Sequence, residues 1–172
     1  MIKLYSARAC PYAFRTRLLL EEKGLRYEHV EIDLRNKPPE FTQLSRYGKV
    51  PALFDQGRHV YESAIINEYV NEAYPVPPMM PSEPIDRAYA RIWIDFANTR
   101  MMPASYKLRF GKTEAEKAEG RAEFAQHCAM LAGELGAGPW FLGEQYSLID
   151  VTYASFQARL YRYLVAVCFG IP

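Results

Sequence analysis

Net charge is almost absent from this chain: 21 Lys and Arg stand against 20 Asp and Glu, a formal +1. So weak a field draws the whole chain to neither nucleic acid nor an anionic membrane; only a local basic patch would. Long apolar runs are missing as well. The longest, Tyr163 to Pro172, falls short of the ~20 residues that cross a bilayer, and Met1-Ile2-Lys3-Leu4-Tyr5 lacks signal-peptide build. Together these point to a soluble, cytoplasmic protein. Cysteine is scarce. Cys10, Cys128 and Cys168 are odd in number and far apart, which suits neither a disulfide framework nor a zinc site. His29, His59 and His127 have no metal-ligand spacing, so no metal is expected. Repeats and low-complexity segments are also lacking.

What is present is the composition of a folded protein, 49% hydrophobic and 24% charged over 172 residues. At ~100 to 200 residues per domain this allows one domain or two small ones. The first half alternates strand-like and helical patterns. Ile2 to Tyr5 reads as a strand, Pro11 to Lys23 as a helix with Phe14, Leu18 and Leu19 on one side, and Gly24 as its end. Arg26 to Ile32 alternates as a second strand, and such a unit crosses over into a parallel pair. A short helix follows around Glu40 to Leu44. Ala52 to Phe54 and Arg58 to Tyr61 then flank Asp55-Gln56-Gly57, a hairpin connection. Ser63 opens a helix carrying Ile65, Ile66, Tyr69, Val70 and Ala73. The order is βαβ-α-ββα, an α/β domain over residues 1–75.

Five prolines between Tyr74 and Pro84 make residues 76–84 a stiff linker. Residues 85–172 then read as all-helical. Ile85, Ala88, Tyr89, Ile92, Trp93 and Phe96 form one stripe, ended or kinked at Met102-Pro103. Thr113 and Glu116 make a capping box for a helix reaching about Leu135, broken by Gly136-Ala137-Gly138-Pro139. Ser147 and Asp150 resemble another box. Leu148 to Cys168 is apolar on nearly every side and belongs in the middle of that domain.

Cys10 stands immediately before Pro11, the residue favoured in the first helical turn. A thiol at a helix N-terminus meets unpaired N–H groups and the positive end of the dipole, which can bring a cysteine from ~8.5 into the range of ~3.5 to 7.5. Arg15 and Arg17 lie in the same helix. A free cysteine is also commonly a small core residue; the proline and helix weigh for a reactive thiol. In Cys10-Pro11-Tyr12-Ala13 the second cysteine of a Cys-x-x-Cys motif is replaced by Ala13. A disulfide at Cys10 would therefore be mixed, formed with an external thiol and released by another. Cys128 and Cys168 read as core packing.

Cys10-Pro11-Tyr12-Ala13-Phe14-Arg15, Asn36-Lys37-Pro38, Gly48-Lys49-Val50-Pro51 and Tyr61-Glu62-Ser63-Ala64-Ile65 together resemble cytosolic glutathione transferases, most nearly the omega class and its bacterial relatives. The resemblance implies a thioredoxin-like first domain with a mixed four-stranded sheet, an all-α second domain, and glutathione as co-substrate. Cys10 would be the catalytic thiol. Tyr12, Lys37, Val50, Pro51, Glu62 and Ser63 would bind glutathione: a cis Val50-Pro51 bond turning the Val50 N–H and C=O toward the peptide, Ser63 and the helix N-terminus holding the γ-glutamyl carboxylate, Glu62 its amino group, Lys37 the glycyl carboxylate. Read without the family, Ser63 is a natural N-cap. Asp150 has a structural counterpart in the family.

The resemblance further implies deglutathionylation or dehydroascorbate reduction with weak conjugation, and a homodimer that binds neither nucleic acid nor membrane. A second substrate would lie by Tyr89, Trp93, Phe96 or Tyr106, although such a stripe is more often core. Stringent starvation proteins resemble the same fold and offer the alternative of a non-enzymatic regulator of RNA polymerase; they generally lack the Cys-Pro motif present here. Against relatives the chain is short, and its C-terminus is expected to be either naturally minimal or truncated.

Overall fold

The computed structural model describes residues 1–135 and 138–155. Cys168, the run Leu164 to Phe169 and most of the apolar helix expected from Leu148 lie outside the described residues, as does the Gly136-Ala137 part of the expected break. The chain divides into two compact units, Met1–Pro78 together with residues 151–155, and Met79–Asp150.

In the first unit, β1 (Ile2–Ser6), α1 (Pro11–Glu22) and β2 (Tyr27–Glu31) form the expected βαβ unit, with β1 and β2 parallel and Ile2 beside Tyr27. α2 (Phe41–Leu44) is a single turn whose Phe41 is buried. β3 (Ala52–Asp55) runs antiparallel to both β1 and β4 (Arg58–Tyr61), giving a mixed sheet in the order β2-β1-β3-β4. The two-residue β3–β4 turn has positive φ at Gln56 (49°) and Gly57 (81°), the twist such hairpins favour. α3 (Ser63–Ala73) completes the thioredoxin-like order.

α1 begins where Pro11 supplies a fixed φ and ends at Gly24, whose φ of 62° few side chains tolerate. Its buried face is not quite the expected one. Leu19 and Leu20 are fully covered with Ala13, Arg15 and Thr16, whereas Phe14 and Leu18 are half-buried. On α3, Ser63, Ile66, Asn67 and Val70 face inward, and Ile65 is 57% exposed. The two helices meet through a buried bond from the Thr16 hydroxyl to Asn67 Oδ1, 2.9 Å. Below them Asp55 Oδ2 accepts from the Tyr69 and Tyr74 hydroxyls at 2.8 and 2.7 Å. Burial and that carboxylate push the Tyr74 phenol up to about 12. The Lys23 ammonium, lowered by burial, donates to the carbonyls of Tyr74 (2.9 Å) and Pro77 (2.6 Å), tying the end of α1 to the end of α3.

In the second unit, α4 (Pro84–Phe96) passes through a π turn (Ala97–Met101) into α5 (Met102–Phe110), and α6 (Glu114–Glu134) follows. Pro103 has no N–H for the helical ladder, and the π turn just before it absorbs the mismatch, so the helix is re-registered where a stop or kink was expected. The Thr113–Glu116 capping box forms as expected. α5 and α6 approach so closely at Gly120 that a Cβ there would collide with the backbone N of Leu108 and carbonyl carbon of Lys107. Asp150 accepts from the Phe141 N–H and from the Ser147 N–H and hydroxyl, each at 2.8 Å, a structural cap for the helix over residues 148–155. Among the described residues no helix is long and apolar enough to cross a membrane.

Candidate functional site

Sheet register puts the chemistry together. Tyr5 is opposite Ala52 in the antiparallel pair, so the residues just before Ala52 lie level with the loop leaving β1. That loop is drawn tight by Cys10 N–H to the Ala7 carbonyl, 2.9 Å, and by Arg17, whose Nη1 donates to Ser6 Oγ and to the Ala7 carbonyl. Cys10 occupies the N-cap of α1 in extended geometry (φ −89°, ψ 122°), and its side chain makes no capping bond. The half-buried Sγ lies 3.7 Å from the Val50 carbonyl oxygen. One flank packs on Ala7, Ala13, Ile32, Phe41, Val50 and Ala52, so the thiol is anchored in the core and still reachable. The Val50-Pro51 bond is cis.

The second part lies where β4 turns into α3. Glu62 holds the cap position with φ 69° and ψ 110°, a conformation rare outside glycine, and no side chain caps α3. Ser63, read above as the N-cap, is instead the first helical residue and is 3% exposed. The reason is Arg15. Its guanidinium is 2% exposed and needs an acceptor, and it donates from Nε (3.0 Å) and Nη2 (2.6 Å) to Ser63 Oγ. Burial pushes Arg15 down to about 10 against the pull of Tyr12, Cys10 and Glu62, so it remains charged at neutral pH. The Tyr12 ring lies 5.2 Å from the guanidinium carbon. The sequence places Arg15 in the same helix as the thiol and points to no partner for it. Its partner is 48 residues away, and no periodicity reports on that.

Lys37 is exposed and donates from Nζ to the Gly48 carbonyl at 2.7 Å, two residues from Val50. Cys10, Val50, Pro51 and Tyr12 thus surround the start of α1, Glu62 and Ser63 the start of α3, and Arg15 links the two. Of the aromatic candidates in the second unit, Trp93 is core, stacked edge-on with Phe96 and against Phe141, and Tyr89 bonds to Glu134. Tyr106 is 46% exposed and, with Phe110, lines an open groove of about 410 Å³. Among the described residues no His, Cys, Asp and Glu cluster able to hold a metal occurs.

The family model described as glutathione S-transferase, N-terminal domain, matches residues 1–72, and that of the C-terminal domain matches residues 114–170. A probable glutathione S-transferase, parC, of Nicotiana tabacum is 34% identical over 155 residues, 88% of this chain and 70% of that protein. The structure of glutathione transferase Omega 3C from Trametes versicolor superposes with a TM-score of 0.87 at 32% identity, over 99% of this chain and 73% of that one. Rice GST1, solved in complex with glutathione, gives 0.85 at 30% over 99% and 78%. A tau class transferase from mango, Mangifera indica, gives 0.84 at 25% over 99% and 79%. Plant and omega-class proteins are therefore comparably similar, and the expected preference for the omega class is not reproduced by overall likeness.

Proposed function

The chain belongs to the glutathione S-transferase family, and from that premise we propose that it is a glutathione-dependent thiol transferase with Cys10 as nucleophile. The observation that carries this reading is the half-buried thiol at the N-cap of α1, unused in capping and aimed at the Val50 carbonyl. A helix N-terminus favours thiolate over thiol. The thiolate attacks the glutathionyl sulfur of a mixed disulfide R–S–S–G. A Cys10–S–S–G disulfide forms, the S–S bond of R–S–S–G breaks, and R–S⁻ leaves to take a proton from water. A second glutathione thiolate then attacks the bound glutathionyl sulfur, so that oxidised glutathione departs and Cys10 returns as thiolate. With dehydroascorbate two free glutathiones supply the two electrons and two protons, one held as the mixed disulfide at Cys10 and the other releasing it as oxidised glutathione. Ala13 offers no resolving thiol, which leaves the second step to free glutathione. Cysteine in place of a hydroxyl residue leaves conjugation to electrophiles a weak side activity.

Glutathione would pair with the Val50 backbone beside cis-Pro51 and place its γ-glutamyl carboxylate at Ser63 and the first-turn N–H groups of α3, an anion site by its dipole. Glu62, exposed at the cap, would meet the amino group, Lys37 the glycyl carboxylate, and Tyr12 would flank the thiol. A homodimer in the cytoplasm completes the proposal. Ile85 and Ile92, 77% and 61% exposed beside Tyr89 on one face of α4, support an apolar contact between copies. The test is reduction of a glutathionylated peptide by Cys10→Ser: a fall of at least ~100-fold is expected, and an unchanged rate would sink the mechanism.

A further inference from the structure

Ser63 owes its hydrogen-bonding direction to a residue that no ligand can touch. A serine hydroxyl has one proton to give and two lone pairs to fill. Arg15 approaches Ser63 Oγ with two N–H donors from one edge of its guanidinium, Nε at 3.0 Å and Nη2 at 2.6 Å, and both converge on the acceptor side of the oxygen. A guanidinium has no acceptor, so the hydroxyl proton must point elsewhere. Ser63 stands at the start of α3, where no side chain supplies a cap and the first-turn N–H groups have no intrahelical partner. The hydroxyl proton joins that set of donors. A water or neutral hydroxyl group at this place would be asked only to accept; a carboxylate is made for it.

We infer that Arg15 is a positioning residue that makes Ser63 an obligate donor, and so sets the preference of the site for a peptide bearing a carboxylate on its γ-glutamyl end. The inference rests on the glutathione reading of the site and deepens it. With 2% exposure, Arg15 reaches a ligand through Ser63 and through its charge, not by direct contact. Burial brings it down only to about 10, so that charge persists at neutral pH and favours an anion at Ser63.

A purely structural role is the competing explanation, since α1 and α3 are joined one residue further on by the Thr16–Asn67 bond as well. The two roles separate in a binding experiment on the full chain by calorimetry. The ligands are S-methylglutathione and its α-decarboxylated analogue, in which γ-aminobutyrate replaces the glutamyl residue so that the amine is kept and only the α-carboxylate is lost. The wild type is expected to favour the carboxylate form over the decarboxylated amine by at least ~10-fold, as befits a charge-assisted hydrogen bond. Arg15→Lys and Arg15→Met bring that ratio toward one while affinity for the decarboxylated ligand changes less than about twofold. Ser63→Ala does the same, and Thr16→Ala lowers Tm yet keeps the ratio. Should the Arg15 variants fail to fold, the Arg15 Nε–H resonance of the wild type must shift with the carboxylate ligand and not with the decarboxylated one. Folded Arg15 variants that retain the preference, or that weaken both ligands equally, overturn the inference, as does an unmoved Nε–H resonance. A wild type that shows no preference overturns the assignment of Ser63 to the carboxylate, and the inference with it.

Discussion

The Cys10 thiol meets the Val50 carbonyl at 3.7 Å although 40 residues of chain separate them. The antiparallel pairing of β1 with β3 brings them level, and Pro11 in the first turn of α1 leaves Cys10 at the N-cap. Because Cys10 is only half-buried, Cys10→Ser is expected to change stability by no more than ~1 kcal/mol while it removes thiol transfer. Urea unfolding beside the activity assay checks both; a variant that loses stability and activity together would make Cys10 a packing residue.

Asp55 is buried under two phenols that both donate to Oδ2. Asp55→Ala leaves two polar groups without their acceptor, and a loss of roughly 2–4 kcal/mol is expected in denaturant titration. A loss below about 0.5 kcal/mol would show that the phenols find water instead.

The same cluster sets a pH dependence. Tyr74 is raised to about 12, with Tyr69 raised as well, so the folded chain holds these protons more tightly than the unfolded one. Their contribution is whole below the ordinary tyrosine value near ~10 and is lost as pH climbs from there toward about 12. Thermal melting should fall more steeply across that window in the wild type than in a Tyr69→Phe, Tyr74→Phe double variant; parallel falls would contradict the assignment.

Two glycines of α6 should respond in opposite directions. At Gly120 an added methyl meets the backbone of α5, and Gly120→Ala is expected to destabilise by ~1–3 kcal/mol. At Gly133 a Cβ meets nothing within 4 Å, and Gly133→Ala should stabilise by roughly 0.5–1 kcal/mol. Denaturation midpoints of the two variants decide the matter, and equal signs would show that the α5–α6 packing is looser than described.

Elements with local signals were legible in the residues. Pro11 and Gly24 bracket α1, Gln56-Gly57 makes the hairpin, and the Thr113–Glu116 box starts α6. Properties set by distant partners were not. Ile65 and Ile85 fit apolar stripes yet face outward, because helical spacing identifies a stripe and not what covers it. Ser63 looked like a cap since strand-to-helix junctions favour serine there; the buried Arg15 claims its oxygen, and the cap falls to Glu62 in a positive-φ conformation. The π turn before Pro103 has no residue signature beyond the proline that follows it.

The central claim is a mixed disulfide at Cys10. Intact mass and peptide mapping after incubation of the wild type with oxidised glutathione test it most directly. The account predicts a single glutathionyl adduct, located on Cys10, removed by excess reduced glutathione and missing in Cys10→Ser. An adduct confined to Cys128 or Cys168, or none at all, would contradict it.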